Sequence, residues 1–184
     1  YGLEKGNYVL FVGRLSHLKG VQYLIDAFRN FRKELCGLKL AVVGTGDFEG
    51  YLRNMAHGMD DVVFTGHVHS LDVKKTLYEN SLVVVVPSSY EGLPMVALEA
   101  MACGKAVVAS AVGGLPFLIR HGKNGFLSEP ENPGDLERFI RILLLDADLR
   151  EKMGSVGRKM VMEEFTVEKM VDKTYGLYKS LMPE

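Results

Sequence analysis

With 184 residues and 47% hydrophobic content, the chain can bury a substantial core as one globular domain without a disulfide or structural metal. Its 22 basic and 23 acidic side chains leave a net charge of −1, which excludes a nucleic-acid partner held by bulk electrostatics and requires any anion site to be local. Cys36 and Cys103 have no CxxC spacing and read as reduced thiols of a cytosolic protein, no charge-free apolar run approaches the ~18 residues of a membrane span, and the chain opens at Tyr1 with no signal-peptide pattern, as a piece of a longer polypeptide would.

In chain order, short apolar runs alternate with helical patterns. Strands are predicted at residues 8–12, 38–43, 62–64, 82–86, 106–109 and 125–128, with helices near 20–35, 48–57, 71–80, 94–103 and 114–121 between them. Six strands alternating with helices imply an α/β, Rossmann-like doubly wound sheet, parallel and six-stranded. After Pro133 come three helical segments, 135–145, 147–164 and 167–181, with no strand between them. Residues 1–165 are thus expected to form the sheet domain and 166–184 a C-terminal helical extension. Val167, Met170, Val171, Tyr175, Tyr178 and Leu181 recur there at helical spacing, so this helix needs a partner surface, on this domain or on one outside the chain.

Open α/β sheets bind ligands beyond the carboxyl ends of their strands, and four such places stand out. After the first strand, Gly13, Arg14 and then Lys19 precede a helix, so a bidentate guanidinium and a point-charge ammonium could clamp a diphosphate; solvated surface cations are the plain alternative. After the second, Gly44-Thr45-Gly46 begins GxGxxxG, a poor dinucleotide fingerprint; its glycines allow close backbone approach to a ligand or a tight turn. After the third, Thr65-Gly66-His67 forms a loop suited to main-chain contact with a planar base, or simply a turn. His67, His69 and His121 have no motif-spaced third ligand, and no metal is expected.

The fourth place carries the most. Strand 82–86 runs into Ser88-Ser89-Tyr90-Glu91-Gly92-Leu93-Pro94, and Pro94 suits the first position of a helix. The amides of Met95, Val96 and Ala97 would then be free at the positive end of the helix dipole, a ready anion site. Glu91 precedes that helix, and Glu99 lies one and a half turns into it among apolar neighbours. A carboxylate there either accepts from the paired hydroxyls of a ribose or pairs internally with an Arg or Lys. The residues leave both open.

Glu91 and Glu99 stand as E-x7-E, and the stretch resembles the signature of retaining glycosyltransferase family 4. Other segments resemble that family in the same order: FVGRLSHLKGVQYLIDAF, LAVVGTGDFEGYL, VVFTGHV and VGGLPFLIRHGKNGFLSEPENPGDL. Members are two-domain GT-B enzymes whose C-terminal half binds a nucleotide diphosphate sugar. The resemblance implies that Arg14 and Lys19 grip the diphosphate, that Glu99 takes the ribose hydroxyls, and that Glu91 contacts the transferred hexose together with Tyr90, Gly92, Leu93, Pro94 and Met95. Val96 would cap the phosphate, the loop at Thr65, Gly66 and His67 would meet the base, and Gly13, Gly44 and Gly46 would line the donor.

It further implies retention of configuration, an acceptor domain outside this chain against which the last helix packs, contact with a membrane only through that domain, and a cytoplasmic location. No DxD-like pair ends a strand, so transfer without a metal or other cofactor is expected, and the isolated chain is expected to be inactive. Two alternatives are a stand-alone nucleotide-sugar binding module and a GT-B sugar-nucleotide epimerase. The epimerase would need acid and base groups facing the sugar, where only Glu91 is available.

Overall fold

Four consecutive valines, Val83–Val86, with no polar alternation can only be a strand covered on both faces, and in the computed structural model, which describes residues 1–181, they form the buried strand β4. The other strands are β1 (Tyr8–Val12), β2 (Lys39–Val43), β3 (Val62–Gly66), β5 (Val107–Ser110) and β6 (Gly125–Ser128). All pair in parallel, in the order β3-β2-β1-β4-β5-β6. The order reverses between β1 and β4, which opens a crevice at their carboxyl ends.

The period-two alternation of β1 assigns its side chains to two cores. Val9 and Phe11 join Leu24, Phe28, Leu136 and Phe139 beneath α1 (Val21–Phe31), α2 (Glu49–Met55) and α6 (Pro133–Leu145). Tyr8 and Leu10 join Leu77, Tyr78, Met101, Leu118 and Met160 beneath α3 (Leu71–Asn80), α4 (Met95–Ala102), α5 (Leu115–Leu118) and α7 (Ala147–Glu164). Helix starts follow their capping residues: Ser70 Oγ accepts from the Val73 amide, Asn132 Oδ1 from Asp135 and Asp146 Oδ1 from Leu149. With Asn132 as cap and Pro133 at its first position, α6 begins two residues earlier than expected.

Helix α5 is much shorter than its predicted span. The Asn124 side chain donates to Leu118 O at 2.9 Å and accepts from the Arg120 amide at 2.7 Å, so the chain after Leu118 is held by this amide group instead of continuing as a helix. Helix α8 (Val167–Leu181) buries no residue, and Val167, Met170, Val171, Tyr175, Tyr178 and Leu181 are all exposed. Its apolar stripe therefore does not pack on the sheet domain. Helices α3, α4, α5 and α7 cover one sheet face, and α1, α2 and α6 the other.

Candidate functional site

At the carboxyl ends of β1, β2 and β3, facing the start of α4, lies a cavity of about 520 Å³. Gly13 and Arg14, Gly44 to Gly46, His67, Lys74 and Val96 line it, bringing together six of the residues singled out from sequence.

The turns after β1 and β2 are built onto each other. Leu15 donates its amide to Thr45 O at 2.9 Å, and Gly13 donates to Val43 O at 3.0 Å. Gly44 has φ of +134°, and a Cβ there would stand 1.9 Å from Gly13 O. These glycines make tight turns packed on the neighbouring loop, and they also line the cavity. Gly66 O accepts from the Gly44 amide at 2.9 Å, tying the third loop to the same ribbon.

Arg14 is highly exposed and pairs only loosely with Asp47, at 3.7 Å, leaving a guanidinium free to turn over the cavity. Lys19 is held differently. Its Nζ donates to Glu91 Oε1 at 2.5 Å, and Ser88 Oγ donates to the same oxygen at 2.8 Å. Lys19 and Glu91, expected on the phosphate and the sugar respectively, thus form one ion pair across the β1–β4 crevice. Glu91 Oε2 takes no hydrogen bond among the described residues.

The loop carrying Glu91 is clamped through its backbone by residues that the site assignment missed. Gly114 donates its amide to Gly92 O at 2.8 Å. Gly113 has φ of +52°, and a Cβ there would lie 1.7 Å from Glu91 O, so only glycine permits the approach. A glycine pair two residues beyond a buried strand was the available signal, since close backbone contact is what that pattern serves. On the far side, the Ser89 amide donates to Leu18 O at 2.9 Å.

Pro94 occupies the cap of α4, one position earlier than expected, with an extended backbone at φ −74° and ψ 109°. Ala97 donates its amide to Pro94 O at 3.1 Å, which corrects the expectation of a third free amide: the first turn tightens and uses that group internally. Among the described residues, no acceptor faces the amides of Met95 and Val96. Tyr90, Leu93 and Met95 are exposed, and none of them lines the cavity.

Glu99 has internal partners. Lys74 Nζ lies 2.8 Å from Oε1 and 2.7 Å from Oε2, and the Tyr78 hydroxyl donates to Oε2 at 2.8 Å. Burial, reinforced by the Glu99 charge, holds the Tyr78 phenol far above its ordinary range, so it remains a donor. Lys74 and Tyr78 sit four residues apart on α3, and sequence reading selected neither.

The His67 and His69 rings meet edge to face at 4.3 Å. His121 packs instead against Phe126 and Phe139, where its Nδ1 accepts from the Leu127 amide.

A reversed-order parallel sheet, a helix tip with two open amides, and cations and acids near one cavity define a Rossmann-like α/β domain with a crevice at the carboxyl ends of its strands. Residues 2–160 match the family described as Glycosyl transferases group 1, and the chain belongs to it. An uncharacterised glycosyltransferase of Methanocaldococcus jannaschii is 39% identical over 177 residues, covering 95% of this chain and 45% of that protein. The crystal structure of the C-terminal domain of a group 1 glycosyl transferase from Francisella tularensis has a TM-score of 0.82 at 28% identity, covering 89% of each chain. Anabaena HepE in complex with UDP has a TM-score of 0.87 at 26% identity, covering 96% of this chain and 49% of that one. The chain spans about half the length of the curated relatives it matches. No helix among the described residues is long and apolar enough to cross a membrane.

Proposed function

We propose that this chain is the donor-binding half of a retaining family 4 glycosyltransferase, moving a hexose from a UDP- or GDP-sugar to a glycan or lipid-linked acceptor. The observation that carries this reading is the convergence on one cavity of Arg14 and the open amides at the tip of α4, with the Lys19–Glu91 pair beside them.

Cleavage of the sugar–phosphate bond builds negative charge on the departing diphosphate. Preorganised cations and amides stabilise that charge without reorganising, and each such contact is worth ~3 kcal/mol of barrier, roughly a hundredfold in rate. Arg14, Lys19 and the Met95 and Val96 amides fill this role, so a metal ion is not required. Glu91 orients the transferred hexose through its open Oε2 while Lys19 and Ser88 hold Oε1. Glu99 accepts from the ribose hydroxyls. The acceptor attacks on the leaving-group face, which retains configuration.

The acceptor site belongs to a domain outside this chain. Its surface receives the apolar stripe of α8, and the enzyme works in the cytoplasm, with any membrane contact made through that domain. The UDP complex of Anabaena HepE supports the donor assignment, and the same protein was also solved with UDP-glucose.

Calorimetric titration of the 184-residue chain with UDP-, GDP- and ADP-sugars tests the reading. Weak binding of one of them without sugar transfer is expected, and unchanged in the presence of EDTA. Failure to bind any nucleotide sugar would overturn it.

A further inference from the structure

Lys74 stands between two hollows. On one side is the 520 Å³ cavity, which it lines with Arg14 and Val96; on the other is a hollow of about 390 Å³, lined by Lys74, Tyr78, Glu99 and Arg158. Its ammonium meets both oxygens of Glu99, and Tyr78 occupies a third acceptor direction.

A carboxylate offers about four such directions. A vicinal diol donating two hydrogen bonds needs two of them, so the diol and Lys74, as placed, compete for Glu99. One of the present donors must yield. Tyr78 is buried and fixed by the core beneath α3. Lys74 is a quarter exposed, on a flexible four-carbon stem, and open cavity lies beside it.

The charge balance points the same way. Among the described residues, both cations lining the cavity already have acid partners, Arg14 with Asp47 and Lys74 with Glu99, and Lys19, in the crevice between β1 and β4, has Glu91. An arriving diphosphate must draw positive charge from these pairs, and it would otherwise share the site with Glu99 as a like charge.

We propose that Lys74 is an exchange cation of the donor site. In the empty site it neutralises Glu99. When a nucleoside diphosphate sugar binds, the ribose diol takes the acceptor directions that Lys74 leaves, and the ammonium turns into the cavity to join Arg14 on the diphosphate. This inference rests on the donor-binding reading above and assigns a diphosphate-binding role to a residue outside the E-x7-E stretch.

The test measures UDP and uridine binding to the 184-residue chain, as wild type, Lys74→Met and Lys74→Arg. Uridine carries the diol without the diphosphate. Lys74→Met is expected to weaken UDP roughly tenfold and to leave uridine bound at least as tightly as before, because a competitor for Glu99 is gone. Lys74→Arg keeps UDP affinity within about threefold of wild type. UDP binding unaffected by Lys74→Met overturns the exchange, and so does an equal weakening of UDP and uridine, which would make Lys74 only a prop for Glu99. Wild-type chain that binds no UDP, GDP or ADP overturns the donor-binding reading itself and the exchange with it. Wild-type binding with an indifferent Lys74→Met overturns the exchange alone.

Discussion

Glu91 and Glu99 differ in how they are held. Glu91 lies on a loop whose backbone is clamped by Gly113, Gly114 and Leu18, and its carboxylate is paired across the crevice with Lys19 at 10% side-chain exposure. Glu99 projects from a helix at 34% side-chain exposure, and its partners are two side chains of one neighbouring helix. A backbone clamp sets a position that no rotamer change can alter, whereas a side-chain pair can exchange partners. The first arrangement suits a group that must orient a reacting sugar, and the second suits one that must release and recapture a ligand.

Breaking the clamp has the largest expected effect. Gly113→Val places a β-branched side chain at positive φ against Glu91 O. It is expected to cost ~3 kcal/mol or more, a fall in melting temperature on the order of 10 °C, together with loss of UDP binding. A variant with wild-type melting and binding would show that the clamp does not position Glu91.

Next comes the chemistry on the Glu91 side. In the two-domain enzyme proposed above, Glu91→Gln and Arg14→Ala are each expected to lower turnover by roughly a hundredfold. UDP affinity of the present chain should change far less with Glu91→Gln, so a steady-state rate set beside a calorimetric titration separates the roles. On the other side, Glu99→Ala is expected to weaken UDP roughly tenfold, the worth of hydrogen bonds to a charged acceptor. Unchanged binding would leave Glu99 as an internal ion-pair residue and nothing more.

Tyr78→Phe sharpens the contrast. It removes one donor from Glu99, about 1 kcal/mol at neutral pH, and it alters the alkaline limb of stability. Burial raises the Tyr78 phenol far above its ordinary value and pushes the Tyr8 phenol up to about 12. A phenol whose folded-state value is raised contributes stability that is complete below pH ~10 and is lost as pH climbs toward the folded value. Denaturant melts between pH 9 and 12 should therefore show a shallower loss in Tyr78→Phe, and an identical slope would contradict the assignment.

Smallest is the effect of Tyr175→Ser on α8, whose exposed side chain should matter by less than ~0.5 kcal/mol in this chain. A clear destabilisation of the longer protein by the same change would mark α8 as a docking helix.

The fold, and the loops that meet at the candidate site, were largely legible in the sequence. Continuous valine runs mark central strands because both sheet faces are covered, and Pro94 ahead of an apolar helix marks a helix start with spare amides. Gly113 was legible as a motif but not as a clamp, since its contact is to a backbone atom more than twenty positions earlier. Lys74 and Tyr78 gave no signal at all, because a lysine and a tyrosine on an amphipathic helix read as ordinary surface and core. The third free amide was misread because a tightened first turn is a local geometric choice that residue types do not declare.

By itself the sequence determined the parallel α/β architecture, the order of its elements and the loops that gather at the cavity, because these follow from hydrophobic periodicity and turn residues over short range. Only the tertiary structure decided which charges meet. Lys19 finds Glu91 across 72 residues and Lys74 finds Glu99 across 25, and such pairings depend on strand order and helix packing. It also decided that α8 stands clear of the domain, since an apolar stripe calls for burial without naming the surface that provides it.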